Sequence, residues 1–328
     1  MNIVCTGSIA YDYLMSFPGY FRDHILPDRL DTISLSFLVD SMIRQKGGTA
    51  PNIAYTLALL GLRPHLVATA GEDFTEYGEW LEAQGIDTTG VKIIPGKYTA
   101  SFFANTDLAN AQIASFYTGA MANASELSIY DLIDRKPDLV VISPNDPAAM
   151  DKYARECREL GIPYLYDPSQ QLVRMRADDI RAGVEGAHAL FINEYEFELL
   201  QKHTGLTQSQ VLEKVDFMVV TCGDCGAQVY VKDRMYVIPA VPPSQIADPT
   251  GVGDAFRGGF LTGYRLKMDW DVCGRMGALA ATYCLENRGT QNHRYTPAEF
   301  AARYVQTFGE QPALDLLINQ EVLIKKHS

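Results

Sequence analysis

The sequence predicts an α/β protein: a doubly wound, mostly parallel sheet carrying a small β-sheet lid. Two observations lead there. Strand-length apolar runs alternate with amphipathic helical stretches along most of the 328 residues, the pattern of a parallel sheet covered on both faces. Two stretches, about 12–46 and 97–118, break the rhythm with strand-like sequence and no helix between the strands. Antiparallel strands inserted into a parallel fold make a separate small sheet, which near the strand ends can serve as a lid over a crevice.

The chain opens on a buried-strand pattern, Ile3-Val4-Cys5-Thr6. A helix is predicted from Thr49 to Leu60, with Thr49 and Pro51 as start signals, Ile53, Leu57 and Leu60 on its apolar face, and Gly61 closing it. Further strands are predicted near 64–70, 138–142, 163–166, 188–192 and 216–221, and helical segments near 74–84, 147–160, 170–182, 194–202 and 253–265. Thr99 to Thr106 and Gln112 to Thr118 read as a strand pair around the turn Asp107-Leu-Ala-Asn110. With no internal repeat, low-complexity tract or linker, one domain is expected over 1–328, its lid strands contributed by about 12–46 and 97–118.

Composition narrows the function. At 47% hydrophobic residues the chain can bury a full core, yet its longest apolar runs fall far short of the roughly 18 residues of a membrane span. The first residues carry no basic region, long apolar stretch or cleavage site, so a cytoplasmic location is expected. A net charge of −12 without clustered Lys and Arg argues against nucleic-acid binding. Such a chain can still hold ATP, but locally, through backbone amides, a helix terminus and a metal ion. The cysteines are scattered. Cys222-Gly-Asp-Cys225 lacks the two further ligands of a zinc site, and Gly223 and Gly226 make it a turn between strands, so reduced structural thiols are expected.

The strongest motif is Asp248-Pro-Thr-Gly-Val-Gly-Asp254-Ala-Phe-Arg-Gly-Gly-Phe260. Gly251 and Gly253 let backbone approach a ligand closely, and the helix that begins here points free N–H groups at whatever lies above it, so Gly251, Val252 and Gly253 form an anion hole. Asp254 at this helix end would be held ionised by the helix dipole, ready to take a proton from an alcohol attacking a phosphoryl group. The bland alternative is a glycine-rich turn with an Asp cap. Gly251-Val-Gly253-Asp-Ala-Phe256 lacks the third glycine of a dinucleotide fingerprint, and no Gly-x4-Gly-Lys-Ser/Thr occurs.

This segment resembles the second signature of the ribokinase-like (PfkB) family of carbohydrate and nucleoside kinases. Gly47-Gly48-Thr-Ala-Pro-Asn52 resembles its first signature, about 200 residues earlier and in the family's order. Weaker matches are Gly7-Ser-Ile-Ala-Tyr-Asp12, Asn193-Glu-Tyr-Glu196 and Thr221-Cys-Gly223. The resemblance covers nearly the whole chain. It implies that Asp12, Gly48 and Asn52 hold substrate hydroxyls, and that Asn193 and Glu196 order Mg2+ and its waters beside the phosphates of ATP. It further implies that Thr221 and Gly223 lie along the nucleotide and that the late helix from Ala278 to Asn287 borders the adenine. Read by themselves, Asn193 and Glu196 are a helix cap and a solvated charge, and Asp12 a turn residue.

Pro249 and Val252 depart mildly from the family pattern. Arg257, three residues after Asp254 on nearly the same helix face, is positioned to reach a phosphate or a substrate oxygen. Arg257, Asp167-Pro168-Ser169-Gln170 and the lid aromatics Phe102, Phe103, Phe116 and Tyr117 look closer to the family's nucleoside kinases than to its fructokinases. The expected reaction is transfer of the γ-phosphoryl group of ATP to a nucleoside hydroxyl, the ribose 5′-OH, with a sugar kinase of the same family as the alternative. A nicotinamide oxidoreductase fails on glycine spacing, and a catalytically silent nucleotide-binding protein is disfavoured by an intact Asp254 between its glycines. The resemblance leaves open a monovalent cation and a homodimer formed through the lid.

Overall fold

The computed structural model describes residues 2–26, 31–32 and 34–325. Strand β1 (Ile3–Thr6) lies inside a large sheet, and the chain then leaves it for β2 (Ala10–Ser16) and β3 (Ser41–Gly47). It returns through helix α1 (Thr49–Leu59) to β4 (His65–Ala70), then α2 (Thr75–Ala83) and β5 (Asp87–Ile93). After β6 (Ala100–Thr106) and β7 (Gln112–Tyr117), a regular alternation follows: β8 (Leu139–Ile142), α3 (Pro147–Leu160), β9 (Tyr164–Tyr166), α4 (Ala177–Val184), β10 (Ala189–Asn193), α5 (Glu194–Thr204), α6 (Gln208–Leu212) and β11 (Phe217–Thr221). A hairpin of β12 (Ala227–Val231) and β13 (Arg234–Ile238) precedes α7 (Val252–Arg265), α8 (Trp270–Leu285), α9 (Pro297–Phe308) and α10 (Leu314–Lys325).

The large sheet has nine strands in the order β13-β12-β11-β10-β9-β8-β1-β4-β5, parallel except for the β12–β13 hairpin. Alternate side chains serve opposite faces. Ile3, Cys5, Leu139 and Val141 pack under α1, α7 and α8, while Val4, Val140 and Ile142 pack under α3 and its neighbours, which is why these strands read as continuous apolar runs. Each such buried side chain contributes about 1.5–3 kcal/mol.

The lid is a separate four-stranded sheet, ordered β3-β2-β6-β7, as the two interrupted stretches predict. Of the expected lid stretch 12–46, residues 27–30 and 33 lie outside the described residues. Helix α1 ends as expected: Leu62 N donates to Leu57 O (3.0 Å) and Gly61, at φ +83°, donates to Ala58 O (2.9 Å). Helix 170–182 is corrected: Ser169–Val173 is a 3-10 turn and α4 starts anew at Ala177. The cause is Asp178 and Asp179, which favour a helix start, with Arg176 paired to Asp179. Strands β5 and β13 match no predicted strand: Asp87-Thr-Thr-Gly-Val-Lys-Ile lacks an apolar run, and the run Met235–Ile238 of β13 lies on an exposed sheet edge. Among the described residues no helix is long and apolar enough to cross a membrane.

The chain moves from β1 toward β5 on one side and then restarts at β8 on the other, a switch of direction between β1 and β8. In open α/β sheets such a point leaves a crevice at the carboxyl ends of the strands. The cavity described next lies there, roofed by the lid.

Candidate active site

A cavity of about 590 Å³ opens between the lid and the sheet, touched by Ser8 after β1, Pro144 after β8, Asn193 ending β10 and Thr221 ending β11. Its size suits a small-molecule ligand. The wall opposite the lid is the start of α7. Gly251 is the N-cap, in the left-handed region at φ +78°, and no side chain caps the helix. The first helical bond runs from Ala255 N to Gly251 O (2.9 Å), so the amides of Val252, Gly253 and Asp254 are free for an anion. The loop before it is pinned by Asp248, which accepts from Thr250 N (2.9 Å) and Gly289 N (3.0 Å). Gly251 and Gly253 line the cavity, whereas the Val252 side chain does not.

Asp254 sits in the first turn of α7 on the cavity wall. The expectation that the helix dipole holds it ionised is corrected. Burial outweighs the Arg257 charge and the Asn52 hydrogen bond and pushes its carboxyl up to about 7. A base in this range suits a proton transfer near neutrality better than a fully depressed carboxylate would.

Helix α1 brings Gly48 and Asn52 to the same cavity. A Cβ at Gly48, φ +96°, would lie 2.4 Å from Ser8 O, so only glycine lets the helix start this close to the first strand. Asn52 is oriented within the cavity wall by two side-chain hydrogen bonds. Its Nδ2 donates to Asp254 Oδ2 (2.8 Å) and its Oδ1 accepts from Gln291 Nε2 (2.7 Å).

Arg257 is likewise held by its neighbours. It lines the cavity but is 5% exposed, with Nε 2.5 Å from Asp167 Oδ2, Nη2 donating to Asp167 Oδ1 (2.8 Å) and Nη1 donating to Gly253 O (2.9 Å). Asp167 is fully buried. The guanidinium is thus a strut between α7 and the loop after β9, because a buried carboxylate demands a partner.

Asn193 and Glu196 form a reciprocal cap: Asn193 Oδ1 accepts from Glu196 N (2.8 Å) and Glu196 Oε2 from Asn193 N (2.9 Å). Both line the cavity, and burial raises the Glu196 carboxyl. Thr221 reaches the cavity; Gly223 does not, lying in a 3-10 turn where a Cβ would meet nothing within 4 Å. Asn287 is likewise outside the cavity, its Nδ2 donating back to Tyr283 O (2.8 Å) at the end of α8.

On the lid, Gln45, Asp12, Phe102 and Phe116 are register partners in one row across all four strands. The last three line the cavity, while Phe103 stacks on Tyr13 with ring centres 4.8 Å apart. Asp12 thus faces the cavity beside two aromatic rings, and burial with the nearby Asp248 charge raises its carboxyl to about 6. Asp167 and Gln291 were not singled out by sequence as functional groups in their own right. A buried Asp in a Pro-Ser loop and a Gln in a polar helix-to-helix segment carry no local signature, and only their partners reveal them.

Comparison with known proteins gives a match to the family model described as pfkB family carbohydrate kinase over residues 15–297. The solved nucleoside kinase of Burkholderia thailandensis in complex with inosine is 34% identical, with a TM-score of 0.85 and coverage of 94% of this chain and 100% of that one. The same enzyme with ADP-inosine gives 36% identity and a TM-score of 0.82, over 94% and 97% of the two chains. A nucleoside kinase of Methanocaldococcus jannaschii is 28% identical over 294 residues, 89% of this chain and 93% of that protein.

Proposed function

This chain belongs to the pfkB family of carbohydrate kinases, and we propose that within it the protein is an ATP-dependent nucleoside kinase with Asp254 as its base. The observation that carries the reading is the composition of the cavity. A carboxylate beside a row of free helix amides faces a carboxylate, Asp12, flanked by the rings of Phe102 and Phe116. The first pair suits an alcohol attacking a phosphoryl group, and the second suits ribose hydroxyls joined to a flat base. The likeness to a nucleoside kinase solved with inosine supports the same substrate class.

In this mechanism Asp12 accepts hydrogen bonds from vicinal ribose hydroxyls and Phe116 covers the base. Asp254, its Oδ2 held by Asn52, takes the proton of the 5′-hydroxyl as the phosphoryl group arrives. The amides of Gly251 to Asp254 stabilise charge on the transferring oxygens. Asn193, Glu196 and Thr221 border the nucleotide end. Among the described residues no cluster of three His, Cys, Asp or Glu side chains could hold a metal. Mg2+ is bound by one or two carboxylates together with substrate phosphates, and Glu196, on the cavity wall at the start of α5, would order it through water. When bound, Mg2+ neutralises phosphate charge. Arg257 supports α7 from the cavity wall.

Steady-state kinetics with inosine, adenosine, ribose and fructose test the substrate class. Every nucleoside accepted should exceed both sugars in kcat/KM, and a sugar exceeding all nucleosides would remove the nucleoside reading while leaving the phosphotransferase. Phe116→Ala should lower kcat/KM for nucleosides by about 5-fold, equivalent to ~1 kcal/mol of aromatic contact. Tyr117→Ala should leave it unchanged, since neighbouring strand residues point to opposite faces.

The lid edges also support a homodimer. Met42 and Ile43 on β3 and Ile113 and Tyr117 on β7 are exposed apolar side chains on the two edge strands. Sedimentation should give a dimer that Ile43→Lys weakens; a monomeric wild type at assay concentrations overturns it.

A further inference from the structure

Resting on the reading of Asp254 as the base, we propose that Gln291 is a positioning residue that sets the orientation of Asp254 through Asn52. Tyr77 Oη donates to the carbonyl of Gly47 (2.9 Å), which leaves the phenol oxygen to accept from Gln291 Nε2 (2.7 Å). The same Nε2 donates to Asn52 Oδ1 (2.7 Å). With its oxygen engaged, Asn52 must turn Nδ2 the other way, and that group donates to Asp254 Oδ2 (2.8 Å).

Both ends of this chain, a backbone carbonyl and a carboxylate, are acceptors, and this fixes the direction of every link between them. Turning Gln291 over would take the Tyr77 hydroxyl from Gly47, or leave two oxygens facing one another. Turning Asn52 over would set its carbonyl against the carboxylate. The three intermediate side chains are buried, Tyr77 at 0%, Gln291 at 3% and Asn52 at 5% exposure, so water cannot substitute for a missing link and each carries more weight than at a surface. Gln291 Oε1 has no partner. The protein thus leaves one acceptor unsatisfied, and what it retains is a single N–H aimed at one oxygen of Asp254, with Oδ1 left for the incoming hydroxyl. The other ionisable groups around Asp254 are Arg257 on its own helix, Asp167 after β9, Glu196 on α5 and Cys284 on α8. None of them belongs to this chain of bonds.

The test compares wild type, Gln291→Met, Asn52→Ala and the double variant, reading kcat, the KM for ATP and the pH profile of kcat. Methionine keeps the volume and removes the donor, so Asn52 loses its fixed orientation. The expected result is a fall in kcat of about 10- to 100-fold, the scale of a misplaced reacting group, with the KM for ATP within about 2-fold and the acid limb of the profile moved to higher pH, because Asp254 loses a bond that favours its charged form. In the Asn52→Ala background Gln291→Met should add little. A wild-type kcat and profile for Gln291→Met, or a full loss repeated in the Asn52→Ala background, overturns the proposal. If Gln291→Met does not fold, Tyr77→Phe decides: it frees Gln291 at its other end and should lower kcat in the same sense, and a wild-type kcat there overturns the proposal equally. Asp254→Asn, run alongside, separates the two readings. Substantial turnover by that variant defeats the base, whereas an inactive Asp254→Asn with a fully active Gln291→Met defeats only the role of Gln291.

Discussion

Asp254→Asn should lower kcat about 10²- to 10⁴-fold, the usual contribution of a positioned acid or base, while nucleotide binding changes little. Asparagine keeps the size of the side chain and one acceptor oxygen toward Asn52, so the pocket is preserved and the proton acceptor alone is lost. In the wild type the same group sets a pH dependence. The carboxyl is pushed up to about 7, and a base works only when deprotonated, so kcat/KM should fall as pH drops through that value in the free protein. The Asn variant should lack this limb. Retention of more than about a tenth of wild-type kcat, smaller than any loss of a working base, would remove Asp254 from the role.

Arg257→Ala is expected to be the most destabilising single change at the site. It leaves Asp167 buried and without its ion pair, and breaking one side of such a pair costs about 3–5 kcal/mol. It also removes the side-chain hydrogen bond to the carbonyl of Gly253 at the start of α7. Urea unfolding should show a lowered midpoint with an unchanged slope, and whatever activity remains should have its acid limb at higher pH, because the guanidinium is one of the influences that lower the Asp254 carboxyl. Replacing both partners, Arg257→Met with Asp167→Leu, should recover much of the stability and little of the activity, since an apolar pair satisfies burial without fixing α7. A loss below about 1 kcal/mol for Arg257→Ala, the worth of a surface pair, would show that the ion pair is not holding the helix.

The substrate roles read from sequence divided according to how far each depended on one residue's neighbours. Gly48, Gly251, Gly253 and Asp254 were legible because glycine spacing and a helix start are local facts, and the cavity has them where the motif implies. Asn52 and Arg257 line the same cavity, yet their hydrogen bonds run to Asp254, Gln291 and Asp167, side chains up to 239 positions away. No local pattern encodes such a partner. Asn193 and Glu196 cap α5, as a local reading gives, and line the cavity as well. For the lid, alternation meant that only one of Phe116 and Tyr117 could face the ligand; register with Phe102 and Asp12 selected Phe116.

By itself the sequence determined the class of fold, the positions of the central parallel strands, the existence of the lid and the glycine loop that opens α7. Each of these follows from periodicity, glycine placement or capping, which act over a few residues. The tertiary structure alone decided the burial that raises the Asp254 carboxyl, the partner of Arg257 and the direction of the hydrogen bonds from Gly47 to Asp254. Those depend on which groups lose water together, and burial of one side chain by another is a property of segments that meet only when the chain has folded.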